Sequence, residues 1–413
     1  MYFPEMVKVK LHFPKDCVVN LQDNIIKEIS NKNFADLINP NDKVGITVGS
    51  RNIQGIHVVL NTLIQFIKKQ GATPYLLAAM GSHGGGTPSG QLKILDSMGI
   101  NEKNYNVTIL PDVTSTTIGY INPGKPVSCL SQALKMDKLI IVNRIKPHTS
   151  FRGDIESGLF KMLAIGLGGP TGAKYIHHNS NGNMSQLIEK TGHYMLSVLP
   201  VVLGLGIVEN PYKEIYKIEA FLPHEFFAGE KRLLLLAKSL LPKIPFEYLD
   251  LLICEKMGKC FSGTGMDTNI IGRMRINNED YKDTPQIKRI VVLDLAEESH
   301  GNANGIGLAD FVTKDLVDKI DFTATYLNCL TTGFLQRGMI PIIMPNDREA
   351  IKAAIETLKP VNYAYLKLVR IKNTMDIDNI WVSKALFKEV EMLGLEIEGS
   401  WNALTFTKNG KLL

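Results

Sequence analysis

The sequence predicts an α/β protein made of two α/β domains, and three observations carry that expectation. Short β-rich runs alternate with helical runs, the order expected of a parallel sheet covered by helices. A second set of such runs follows the first within 413 residues, a length that exceeds one ordinary domain. Polar, glycine-rich loops follow directly on several β-rich runs, where parallel sheets hold their ligands.

In the first half, residues 44–48 (VGITV) read as a strand. Residues 53–69 place Ile56, Val59, Leu60, Leu63 and Ile67 at helical spacing. A strand at 74–79, a helix at 91–98 and strands at 107–110 and 139–142 continue the pattern. The order β-α-β-α-β implies a parallel sheet whose ligand site lies beyond the C-terminal strand ends, at a switch point. The apolar stretch 197–208 is interrupted by Pro200, Gly204 and Gly206 and is shorter than the roughly 20 residues of a membrane span. It reads as one or two buried strands. In the second half, 249–254, 289–293 and 340–344 read as strands, and 311–330 contains helical stretches. Residues 347–358 read as a helix capped by Asp347, and 379–382 and 404–407 as final strands. The joint falls near 245–265, which divides the chain into an N-terminal α/β domain, 1–255, and a C-terminal α/β domain, 256–413.

Composition excludes several classes. With 45% hydrophobic and 21% charged residues, the chain has a core to bury and is not disordered. Its 46 basic and 41 acidic residues leave a net charge of +5, and no run of five basic residues marks a nucleic-acid footprint. The cysteines, Cys17, Cys129, Cys254, Cys260 and Cys329, are odd in number and lack C-x-x-C spacing, which argues against a disulfide framework or zinc ribbon. The opening MYFPEMVKVKLHFP has no apolar core of a secretory leader. A cytoplasmic protein with reduced thiols, and with neither a membrane nor a nucleic-acid partner, is expected.

Polar residues gather in five loops. Gly49-Ser50-Arg51-Asn52 follows the 44–48 run, and Met80-Gly81-Ser82-His83-Gly84-Gly85-Gly86 follows 74–79. The richest, residues 143–161, packs Arg144, Lys146, His148, Arg152, Asp154, Glu156 and Lys161 after the 139–142 run. Pro147 stiffens the backbone beside His148, and a helix is expected from Glu156, its N-terminus favouring an anion. Residues 166–178 (GLGGPTGAKYIHH) fit neither dinucleotide nor P-loop spacing, and the neighbours His177 and His178 point about 100° apart on a helix, so one of them could serve a metal. Residues 263–275 carry Asp267, Asn269 and Arg275, and His300 stands in a turn-rich loop after 289–293. The plain alternative for each segment is a solvated loop.

Together, G-S-H-G-G-G, K-P-H-T-x-F-x-G-x-x-E-S-G-L-x-K-M and the following G-A-x-x-x-H resemble the lactate racemase family over about residues 40–345. The resemblance implies two α/β domains with the active site in the cleft between them, and an isomerase that racemises or epimerises a 2-hydroxycarboxylic acid. It implies a nickel-pincer nucleotide, Ni(II) pyridinium-3,5-bisthiocarboxylic acid mononucleotide, joined covalently to Lys161, with Ser157 and Gly158 beside it. His177 matches the nickel ligand, with His178 as the fallback, and a flat four-coordinate site suits Ni(II). His83 and His148 match acid/base histidines, and Arg51, with Ser50, matches the carboxylate-binding arginine. The implied route takes the α-hydrogen as hydride while a histidine takes the hydroxyl proton, through a bound 2-oxo acid. Cofactor-synthesis proteins are implied partners.

Differences from the family pattern bear on substrate. Val48-Gly49-Ser50-Arg51-Asn52 keeps only the arginine and a hydroxyl of the family run, and Asp267-Thr268-Asn269-Ile270 is followed by Gly272 and Arg275 where glutamine and lysine are usual. Asn269 and Arg275 are thus candidate substrate contacts. A 2-hydroxy acid other than lactate, larger or with a second carboxylate, is expected. The competing readings are a ligand-binding homologue without activity and a different metal enzyme such as a zinc hydrolase, although no H-x-x-x-H spacing supports zinc.

Overall fold

The computed structural model describes residues 3–122, 124–179, 183–276, 284–358 and 362–413. The chain forms two compact α/β units, residues 14–241 and residues 1–13 with 242–413. A break after residue 255 would cut the strand Tyr248–Met257, which pairs along its length with Gln286–Leu295. The division therefore falls before that strand, and the first 13 residues join the second unit because Glu5–Lys10 pairs with Asn379–Ser383 and Glu396–Ala403.

The 14–241 unit carries a six-stranded sheet in the order Thr108–Leu110, Thr73–Ala78, Lys43–Val48, Lys138–Arg144, Val201–Glu209, Ile215–Phe221. All neighbours are parallel except the last pair. Central strands are apolar on both faces, as parallel strands between helices must be. The helix Ile56–Lys69 buries the five residues whose spacing foretold it. The helix Pro88–Ser97 starts three residues before the expected one, since Thr87 caps it by accepting from the Gly90 N–H at 3.1 Å. The apolar run 197–208 supplies the end of the helix Met184–Val198 and most of the strand Val201–Glu209. A hairpin, Ser115–Tyr120 with Pro126–Leu130, lies outside this sheet.

The other unit has an eight-stranded sheet. Five strands run parallel in the order Ile342–Met344, Phe311–Thr313, Gln286–Leu295, Tyr248–Met257, Leu368–Ile371. Asn379–Ser383, Glu5–Lys10 and Glu396–Ala403 extend it antiparallel.

The helical stretches expected in 311–330 are Lys314–Asp318 and Phe322–Thr332, capped by Thr313 and Asp321, and they follow a short buried strand, Phe311–Thr313. Two expectations change here. The last long strand is Glu396–Ala403 instead of 404–407. Asn346, not Asp347, caps the helix Asp347–Glu356; Asp347 is buried and accepts the Leu412 N–H at 2.9 Å. Among the described residues, no helix is long and apolar enough to cross a membrane, and all five cysteines are free.

Gly204 lets the strand Val201–Glu209 approach the helix Phe226–Leu240: an added Cβ would lie 2.5 Å from Phe226 Cζ and 2.8 Å from Leu159 Cδ1. Gly204→Ala should therefore destabilise the 14–241 unit by about 1–3 kcal/mol through overpacking. An unchanged urea midpoint would contradict this packing.

Candidate active site

From the strand Lys43–Val48 the chain moves outward through Thr73–Ala78 and Thr108–Leu110, then returns to Lys138–Arg144 on the other side. The switch point therefore lies between Lys43–Val48 and Lys138–Arg144, where ligands of open parallel sheets collect. Ser50 and Arg51 leave the first of these strands and the 145–158 loop leaves the second. The glycine-rich loop of His83 leaves the next strand, Thr73–Ala78, and the Ser50 hydroxyl meets His83 Nδ1. Gly84 has φ +70°, and a Cβ there would collide with the backbone of Gly90 and Gln91 at 2.6 Å. The loop can close beneath an exposed His83 only with glycine at that place.

Most charges of the 145–158 loop hold the loop itself. Lys146 and Ser157 pair through both backbone hydrogen bonds, which closes the excursion. Glu156 is fully buried; it accepts the His148 N–H at 2.6 Å and the Gly153 N–H at 3.3 Å, and meets Lys238 Nζ at 2.6 Å. Arg152 donates to the His148 carbonyl at 2.6 Å, and Asp154 pairs with Lys231 at 2.7 Å. His148 stacks on Phe151 with centroids 4.2 Å apart. Its Nδ1 accepts the Ser150 N–H at 3.1 Å. A backbone N–H can only donate, so neutral His148 carries its proton on Nε2.

The helix expected from Glu156 begins later and is not regular. Ser157 lies in the bridge with Lys146, and Gly158 precedes the turn Leu159–Lys161, with its carbonyl accepting from Asn143 Nδ2 at 2.7 Å. A π-helical stretch, Met162–Leu167, follows, then Gly169 at φ +64° opens the helix Gly169–Asn179. Lys161 and His177 are 16 residues apart; on one straight α-helix that is about 24 Å. The wide π turn and the left-handed glycine fold this path back, so that the Lys161 charge acts on His177. His177 is partly buried, whereas His178 points outward and is exposed.

Burial holds the Lys161 ammonium down to about 7; Lys146 and Arg51 add repulsion, and Glu156 opposes them. Burial likewise pushes His177 down to about 4, helped by Lys161 and His178. Its Nδ1 is buried and has no hydrogen-bond partner among the described residues. A neutral imidazole with an idle nitrogen beside a weakly basic lysine suits a metal-bearing group joined to that lysine. Arg51 is lowered by burial and by Arg144 but remains a cation. Arg144 itself is paired with Glu209. Among the described residues, no group of three or more His, Cys, Asp and Glu side chains converges on a metal position.

Asn269 and Arg275 lie in the other unit. Asn269 donates both its backbone and side-chain N–H groups to Asp267, at 2.9 and 2.8 Å. Arg275 donates to the Gly307 and Ala309 carbonyls at 2.6 and 3.0 Å and pairs with Asp310 at 2.6 Å. Gly272 has φ +59°, and a Cβ would lie 2.0 Å from the Pro285 carbonyl, which explains glycine there. His300 is exposed in a left-handed turn, φ +47°. Sequence reasoning missed Glu230, which is fully buried beneath the Lys161 turn. Its signal was an acid on the apolar stripe of Phe226, Leu233, Leu234 and Ala237.

Two outcomes follow from this geometry. Because the folded state lowers the Lys161 pKa, the unfolded chain binds the extra proton between pH 7 and the ordinary lysine range, and the lysine's destabilisation fades as pH rises. Lys161→Met should raise the melting temperature more at pH 6 than at pH 10; an equal gain at both would contradict the burial of this amine. In ¹⁵N spectra, neutral His148 should show the Nε2–H tautomer, and an Nδ1–H tautomer would contradict the Ser150 contact.

Residues 9–184 match the family model described as the lactate racemase N-terminal domain. No curated protein matches this sequence. The lactate racemase apoprotein from Thermoanaerobacterium thermosaccharolyticum is similar in structure, with a TM-score of 0.55 and 14% identity, over 86% of this chain and 95% of that one. At that identity the likeness speaks to the fold, and the domain match speaks to residues 9–184. Residues 9–184 therefore carry a lactate racemase N-terminal domain, and most of the chain shares the fold of that apoprotein.

Proposed function

We propose that the protein racemises or epimerises a 2-hydroxycarboxylic acid with a nickel-pincer nucleotide held on Lys161. The observation that carries this reading is the joint burial of Lys161 and His177, with an idle imidazole nitrogen beside a weakly basic amine. Lys161 would hold the nucleotide covalently, and His177 would supply the protein's bond to nickel. When bound, such a nucleotide supplies an electrophilic carbon that accepts hydride from the substrate.

The chain's own residues do the rest. Near neutral pH a large share of Lys161 is the free amine, the form that can make a covalent bond. His177 stays neutral and keeps a lone pair for a metal. Arg51 pairs with the substrate carboxylate and fixes its pose. His83 and His148 take and return the proton at the substrate's hydroxyl oxygen. Their settings differ: the Ser50 hydroxyl beside His83 can rotate to donate or accept, whereas the Ser150 N–H beside His148 can only donate. His83 is thereby suited to begin as the base, while neutral His148 donates an Nε2–H hydrogen bond to the hydroxyl oxygen and takes a proton only once its Nδ1 leaves the Ser150 N–H.

The runs around Arg51 and at 267–275 favour a 2-hydroxy acid other than lactate, and the internal bonds of Arg275 leave it little to offer a second carboxylate. The test is a panel of single-enantiomer 2-hydroxy acids, followed by chiral chromatography, with protein from cells that make the nucleotide. His83→Ala and His148→Ala should keep the Lys161 adduct and lose about 10²–10⁴-fold in turnover. Normal racemisation by both variants would refute the acid/base roles, and turnover of lactate alone would refute the substrate reading.

A further inference from the structure

We infer that Glu230 is a positioning residue for Lys161, its carboxylate capping from another helix the short turn that presents the amine. The turn Leu159–Lys161 is three residues long, too short to hold itself by helical hydrogen bonds. Its first N–H groups need partners, and Glu230 on the helix Phe226–Leu240 supplies them. Oε2 accepts the Phe160 N–H at 2.9 Å, and the Leu159 N–H also reaches the carboxylate.

Two further observations tie the carboxylate to this place. A Cβ on residue 158 would lie 2.2 Å from Glu230 Oε1 and 2.4 Å from its carboxyl carbon, so the approach requires Gly158. Oε1 is buried and has no hydrogen-bond partner among the described residues. The carboxyl group is thereby held against the open N–H groups at the start of the turn. Burial pushes this carboxyl up to about 8, while the Phe160 and Leu159 hydrogen bonds pull it down.

The same helix makes a second hold. Lys238, eight residues after Glu230, pairs with Glu156 at 2.6 Å, and Glu156 fixes the His148 backbone at 2.6 Å. One helix therefore grips the segment on both sides of Ser157-Gly158, with the amine downstream and the imidazole upstream. If Glu230 is removed, the turn frays and Lys161 moves toward water. The charges acting on Lys161 are Lys146, Arg51 and Glu156, with His177 beside it; none of them is altered by the substitution.

The inference rests on the proposed function only for what Lys161 is used for. Its test uses the full-length apoprotein, pulse-labelled with acetic anhydride at one fixed pH, with the Lys161 peptide quantified by mass spectrometry against the other lysine peptides of the same sample. Wild-type Lys161 should label slowly, as a buried amine. In folded Glu230→Ala its relative labelling should rise several-fold while the other peptides stay unchanged, and Glu230→Gln, which keeps an acceptor oxygen at the same reach, should hold the wild-type labelling. Glu230→Asp withdraws the carboxyl from the turn, and it should raise the labelling if the alanine variant does not fold. Wild-type labelling of Lys161 in folded Glu230→Ala or Glu230→Asp overturns the inference, because a merely structural role would lower stability without exposing this amine alone. An unmodified Lys161 in nucleotide-making cells would count against the proposed function and leave this result standing.

Discussion

Burying an amine and an imidazole side by side is the constraint on which this site depends. Both groups prefer water when charged, and neither is neutralised by a strong acid partner. The chain meets the cost by holding both near or below neutrality, through burial and through neighbouring cations, Lys146 and Arg51 acting on Lys161, and Lys161 and His178 on His177. That solution requires fixed geometry, because a small excursion of either group to solvent would restore its ordinary basicity. The π-helical stretch Met162–Leu167 and the left-handed Gly169 bring the two together; the Lys161 turn lies against the strands Lys138–Arg144 and Val201–Glu209, and the His177 helix against the strand Pro126–Leu130.

The abundant charge around this pair divides into two kinds. Arg152, Asp154, Glu156, Lys231 and Lys238 are spent on the loop, where their hydrogen bonds and ion pairs replace regular secondary structure. Arg51 and His148 leave the two strands that flank the switch point, His83 leaves the neighbouring strand, and Lys161 and His177 lie on the folded-back helical segment. A loop whose own charges lock its shape can present a histidine without being rigid for any other reason. Such preorganisation is what positioned proton transfer needs.

Much of the first unit was legible because its signals are local. Strand 44–48, the helical spacing of Ile56 to Ile67 and the glycines around His83 each report on a short stretch of chain. The separation of Lys161 and His177 was legible as a motif, but the path between them was not, since nothing in MLAIGLGG announces a π turn. Glu230 and Lys238 escaped because their partners lie 70 and 82 residues away. The strand Glu5–Lys10 escaped for the same reason: its pairing with residues near 380 and 400 is invisible to any local pattern. Arg275 shows another limit of local reading. Its type suggested an anion site, and its left-handed backbone and its bonds to Gly307, Ala309 and Asp310, which brace it within its own unit, carry no local signal.

The central claim is that Lys161 and His177 form one cofactor-bearing pair. Its most direct test is the mass of the Lys161 peptide, with nickel content, in protein purified from cells that make the pincer nucleotide. The account predicts a mononucleotide-sized addition on Lys161 in wild type. In His177→Ala it predicts that the addition persists while nickel is lost. Unmodified Lys161 in cells that load a family relative, or nickel retained without His177, would contradict it.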